Sequence, residues 1–131
     1  MAKIRSVFDI RANVTAIESQ LSEDPLLAAT VKKYSGMRLP GAFDGFELLL
    51  RAILGQQISV KGATTLAGRF AKAFGDEIET PFSQITYTTP SPERLADADV
   101  SAIQSQGLPH KRAATIKAAA IVLCEGRLQL E

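Results

Sequence analysis

The sequence has one cysteine, no tryptophan, and no excess of charge of either sign. A lone Cys124 excludes an internal disulfide, and unaided it cannot hold an iron–sulfur cluster or a structural zinc. Its apolar surroundings (Ile121, Val122, Leu123) suit a small core residue better than a reactive thiol. A chain without disulfides fits a reducing compartment. Long hydrophobic runs are missing, so no segment reaches bilayer length. Residues 1–15 lack the apolar stretch that follows the basic residues of a secretory signal. A cytoplasmic protein that does not enter membranes is expected. Fifteen basic residues face fourteen acidic ones, for a net charge of +1. That balance excludes capture of nucleic acid or anionic lipid by overall charge. Any contact with DNA must come from a local patch.

What is present is an apolar fraction of 46% in 131 residues, which suits a single helical domain with a modest core. Helical spacing recurs in six segments. Asn13 is a plausible cap for a helix from Val14 to Leu21. Asp24 and Pro25 begin a second that runs to about Tyr34, with Gly36 as its stop. Asp44 and Glu47 have the spacing of a capping box, and Phe46, Leu49, Leu50, Ile53 and Leu54 form one apolar stripe of a third helix reaching about Gln57. Leu48 and Ala52 widen the stripe, which predicts burial around much of this helix. After Ser59, a fourth helix carries Val60, Ala63, Leu66, Ala67, Phe70 and Phe74 in period and ends at Gly75. Gly62 and Gly68 each cost about 1 kcal/mol relative to Ala inside a helix, so a close helix–helix contact is expected there. Residues 75–92 hold Pro81, Pro90 and Pro92 among Thr and Ser and read as a surface loop. Two short turns from Pro92 to Gln106, closed by Gly107, precede a last helix from Pro109 to about Glu125 with Ile116, Ala119, Ala120 and Leu123 on one face. No segment alternates cleanly, so the fold class is all-α with short connections.

The run from Arg38 to Val60, with Leu39-Pro40-Gly41 at its start and Arg51-Ala52-Ile53-Leu54-Gly55-Gln56-Gln57-Ile58-Ser59-Val60 at its end, resembles the AlkA-type 3-methyladenine DNA glycosylases of the helix-hairpin-helix superfamily. The block Arg51 to Val60 is the specific part. Thr65-Leu66-Ala67-Gly68-Arg69, Pro90 to Ala96 and Gly107 to Ala113 extend the likeness, which covers roughly Val7 to the C-terminus. It implies the helical subdomain of that glycosylase fold and a role in base-excision repair of alkylated purines in double-stranded DNA. It implies hydrolytic base release with no redox cofactor and no protein metal site.

The residues themselves allow this chemistry. A buried helix that ends on two amides suits a face turned to solvent or ligand, and Gly55 beside them suits a close backbone approach. An amide both donates and accepts, as reading a base edge requires. The simpler alternative is a polar helix C-terminus. The resemblance assigns the Gln56 position to the base pocket and the Gln57 position to the wedge that fills the space of a flipped nucleotide. An amide wedge can also hydrogen-bond the orphaned base. Ser59 caps the next helix start, whose first amides suit a phosphate. Lys111 and Arg112 sit at a helix start, where cations oppose the dipole preference; they are either phosphate contacts or a solvated face. Lys61 and Arg51 share that choice, and Arg51 can instead pair with Glu47. His110 reads as a helix-start residue without catalytic partners.

In the resembled family, a hairpin that grips phosphate and a charge-stabilising aspartate follow the helix matching the last one here. The resemblance places both beyond Glu131, so the fold is expected to be truncated before the hairpin, and no catalytic residue is assigned among residues 1–131. Asp44, Glu47, Asp76, Asp97 and Asp99 fall at caps and loops instead. The chain alone is expected to be inactive. The small N-terminal domain of some relatives is expected to be absent. An apolar face normally covered by the rest of such an enzyme is expected to drive homodimerisation or segment exchange. The alternative to an enzyme part is a non-enzymatic helical DNA-binding or interaction module that keeps the scaffold.

Overall fold

A computed structural model describes residues 2–130. By contact, the chain divides into two compact units, residues 1–43 and 44–131, where the sequence suggests one helical domain.

The first unit holds α1 (Ala2–Val7), α2 (Val14–Leu21) and α3 (Pro25–Lys33). The periodicity of the sequence does not reveal α1, which buries no residue. The other two begin where their caps predict. The Asn13 side chain accepts from the Ala16 N–H at 3.2 Å, and Asp24 accepts from the Leu26 N–H at 2.8 Å. The Glu18 carboxylate takes the Gly36 N–H and the Ser35 hydroxyl, fixing the turn after α3. Gly36 stands at φ +84° there, a conformation that costs glycine little.

The second unit holds α4 (Gly45–Gly55), α5 (Val60–Phe74), α6 (Pro92–Asp97), α7 (Val100–Gln104) and α8 (His110–Cys124). Asp44, Ser59 and Ser91 each accept a first-turn N–H, from Glu47, Gly62 and Arg94. Helix α8 packs on α6, α7 and α4, and α4 packs on α5. Between them lies one core: Phe46, Leu50, Ile53 and Leu54 of α4, Phe70 of α5, Leu95, Ile103 and Leu108, and Ala113, Ile116 and Ala120 of α8. The all-helical class holds. Among the described residues the extended structure is one isolated antiparallel bridge, Glu77 to Tyr87, inside the connection from α5 to α6.

Several expectations from the sequence give way. Leu48 and Ala52 are exposed, so α4 buries one stripe rather than most of its circumference. Val60, in period with the α5 stripe, is 86% exposed, because the first turn of that helix overhangs the core. No close helix contact explains Gly68, around which a Cβ would meet nothing within 4 Å, and a Cβ on Gly62 would face its own cap, Ser59 and Ile58. A Cβ on Gly55 would only touch Ala63 at 3.7 Å, so no backbone approaches closely. Gly75 is a position that needs glycine, since a Cβ there would fall on the Thr88 and Ala71 carbonyl oxygens. Cys124 is exposed rather than in the core, because α8 turns Ala113, Ile116 and Ala120 inward. Protein atoms that displace water near its sulfur, and then the charges of Glu93 and Asp97, push the thiol pKa up. It is therefore a weak nucleophile at neutral pH.

Candidate functional site

The third apolar stripe ends in a sharp turn. Helix α4 stops at Gly55, two residues earlier than its pattern suggests. The Gln56 N–H bonds the Ile53 carbonyl at 3.4 Å, and the Ile58 N–H meets the Gly55 carbonyl at 3.5 Å. Between these two bonds Gln57 adopts φ +58°, a left-handed conformation uncommon for a residue with a side chain. Such strain concentrates at functional positions. Ser59 then caps α5 with its hydroxyl 3.2 Å from the Gly62 N–H. The turn is thus fixed by backbone and cap bonds, and Gln56 and Gln57 are both exposed on it.

Helix α8 brings in the second half of the site. It packs on α4, and residues of its first turns share a pocket wall with the α4–α5 turn. A surface pocket of about 370 Å³ opens there, lined by Ile53, Gln56, Gln57, Pro109, Lys111, Arg112 and Thr115. Four of the residues singled out in the sequence thereby meet in one concavity: two neutral amides and two cations. Among the described residues, neither Lys111 nor Arg112 takes part in an ion pair, and neither Gln56 nor Gln57 has a side-chain hydrogen-bond partner. Pro109, the residue before α8, offers no side-chain cap to the helix start. The concavity therefore presents two cations and two unpartnered side-chain amides together, a set suited to an anion beside a planar polar ligand.

The other candidates lie elsewhere. Arg51 pairs with Glu47 at 3.1 Å on the outer face of α4 and lines two different pockets. Lys61 is exposed on the first turn of α5 and is not part of the pocket wall. The Ser59 hydroxyl is engaged as a cap. His110 holds its ring Nδ1 3.3 Å from the Gln104 side-chain oxygen. Asp44 caps α4, Glu47 is paired, and no carboxylate lines the pocket among the described residues. Sequence reading missed Ile53, Pro109 and Thr115 as pocket walls. Thr115 had one available signal, its position one helical turn after Lys111, whose carbonyl its hydroxyl bonds at 2.9 Å.

Residues 1–44 match the AlkA N-terminal domain, which overturns the expectation that such a domain is absent. The likeness from Val7 onward reaches into the first unit, but its three helices bury no residue and give no sign in the sequence of a domain of their own. The chain is 37% identical over 130 residues to the probable bifunctional transcriptional activator/DNA repair enzyme AlkA of Mycobacterium tuberculosis, covering 99% of this chain and 26% of that protein. It is equally 37% identical over 130 residues to DNA-3-methyladenine glycosylase 2 of Escherichia coli, covering 43% of it. The chain thus spans less than half the length of either relative. The solved 3-methyladenine DNA glycosylase of Archaeoglobus fulgidus superposes with a TM-score of 0.70 at 26% identity, over 91% of this chain and 41% of that one. Residues 50–129, which hold the whole pocket, match the HhH-GPD superfamily of base excision DNA repair proteins, and the chain belongs to that superfamily.

Proposed function

We propose that this chain forms the DNA-facing helical part of a base-excision glycosylase acting on alkylated purines such as 3-methyladenine. The observation that carries the reading is the single concavity shared by Gln56, Gln57, Lys111 and Arg112. Support for the lesion class comes from the 37% identity to DNA-3-methyladenine glycosylase 2. In this reading Lys111 and Arg112 hold backbone phosphates at the start of α8, where helix amides add to their pull. Gln57 enters the duplex and occupies the space of the departed nucleotide, and Gln56 faces the flipped base. Opening the stack costs a few kcal/mol, less where the base is already missing. Arg51 and Lys61, on helix faces beyond the pocket, add weaker phosphate contacts. Ser59 serves by holding the turn rather than by touching DNA.

The test is a titration of labelled duplexes, one carrying an abasic-site analogue and one undamaged, at fixed salt. The abasic duplex is expected to bind severalfold more tightly, and Gln57→Ala is expected to narrow that gap. Equal affinity for the two duplexes in the wild type would remove the reading.

We also propose that the 131-residue chain self-associates. The second unit exposes Leu48, Ile58 and Val60 along α4 and the start of α5, an apolar surface of the kind that marks contact sites. Light scattering is expected to give a mass that rises with concentration. A constant monomer mass up to millimolar chain would refute it.

A further inference from the structure

Arg69 is not part of the pocket wall, yet its guanidinium reaches the turn from which the two cations of the pocket start. We propose, on the DNA-facing reading above, that Arg69 is a positioning residue for DNA binding. By gripping the turn between α7 and α8, it holds Lys111 and Arg112 in place relative to the α4–α5 turn.

The grip is visible from both sides. Arg69 Nη1 donates to the Gln106 carbonyl at 3.3 Å. Gly107 follows at φ +105°, and a Cβ on it would come within 3.1 Å of the same Nη1 and 3.6 Å of Leu66 Cδ2. The backbone of the turn therefore lies against the Leu66 and Arg69 side chains of α5. The other bonds of the turn stay local. The Gly107 and Leu108 N–H groups both go to the Gln104 carbonyl, and the Gln106 side-chain amide returns to the Ala102 carbonyl. Among the described residues, the Arg69 bond is the one recorded from α5 to this turn.

The connectivity gives that bond its use. Helix α5 begins directly after the turn that carries Gln56 and Gln57, and Ser59 caps it. Lys111 and Arg112 begin α8 just beyond the gripped turn. One hydrogen bond thus closes a ring that runs from the two amides along α5 to the two cations, and back across the pocket. A guanidinium suits the task, since it stays charged and holds its donors in a planar fork. Ile103 and Leu108 are buried in the core on either side of the turn, so losing the bond loosens the start of α8 without unfolding it. Each phosphate contact would then have to restrain a freer segment, and affinity falls.

The test is a double-mutant cycle on binding to the abasic duplex. Arg69→Met keeps an apolar stem and removes the donors. In the wild-type background it is expected to weaken binding about three- to tenfold, as for one exposed bond from a charged group, with the salt slope unchanged. In the Lys111→Ala, Arg112→Ala background, at a salt low enough for every variant to bind, the same change is expected to matter less than about twofold. Arg69→Lys keeps the charge on a stem one bond shorter and is expected to behave as Arg69→Met does, which separates loss of grip from loss of charge. It also supplies the cycle if the methionine variant melts early by circular dichroism. Equal losses in the two backgrounds, as a general loosening of the fold would give, overturn the proposal. So does full affinity in Arg69→Met, or a salt slope lower by about 1, which would make Arg69 a phosphate contact itself. A wild type that does not prefer abasic over undamaged duplex removes the DNA-facing reading, and this role with it.

Discussion

Replacing Phe70 by alanine is expected to destabilise the second unit by about 3–5 kcal/mol. The ring is fully buried and lies 5.6 Å from that of Phe74, tilted by 52°. It is the one α5 side chain that reaches full burial in the shared core, so its loss opens a cavity that the short helices around it cannot collapse to fill. Folded domains of this size have only about 5–15 kcal/mol of net stability. The melting temperature should fall by about 12–40 °C, since each kcal/mol moves it by several degrees in a domain of this size. Val60→Ala, on the same helix but at an 86% exposed position, should change stability by less than about 0.5 kcal/mol. Thermal melts followed by circular dichroism measure both. Similar shifts for the two variants would show that Phe70 does not anchor α5.

The second large effect is on DNA affinity. Lys111→Ala combined with Arg112→Ala is expected to weaken binding about 50-fold at 0.1 M salt, taking each lost phosphate contact as worth close to the first power of salt concentration. The slope of log affinity against log salt should drop by about 2. The loss should be similar for abasic and undamaged duplexes, because phosphate contacts position the protein without reading the lesion. Stability should move the other way. Two cations at the start of α8 oppose the helix dipole, and neither is in an ion pair among the described residues; removing them should leave stability unchanged or raise it by a few tenths of a kcal/mol. Salt-dependent anisotropy titrations and parallel melts test this. An unchanged salt slope would assign the DNA contacts to other residues.

These two substitutions separate what the pocket needs from what the core needs. Position 57 joins them, because its left-handed backbone is a local strain of about 1–2 kcal/mol retained at the point where the turn meets the ligand side. A glycine there would relieve the strain and lose the amide.

Much of the secondary structure was legible in the sequence because its causes are local. Asn13, Asp24, Asp44, Ser59 and Ser91 each bond an N–H two or three residues ahead, and that chemistry depends on nothing distant. The α4 stripe and the motif ending in Gln56 and Gln57 were equally visible, and with them the family. Tertiary structure decided the rest. Which face of α8 is buried depends on α6, α7 and α4 packing against it, and an alanine-rich helix carries little preference of its own, so Cys124 came out exposed. The end of α4 at Gly55 and the φ of Gln57 follow from how the turn must close onto α5. The meeting of two amides with two cations from distant parts of the chain exists only because α8 lies against α4, since side chains so far apart in sequence can share a pocket only when burial of the core between their helices holds them there.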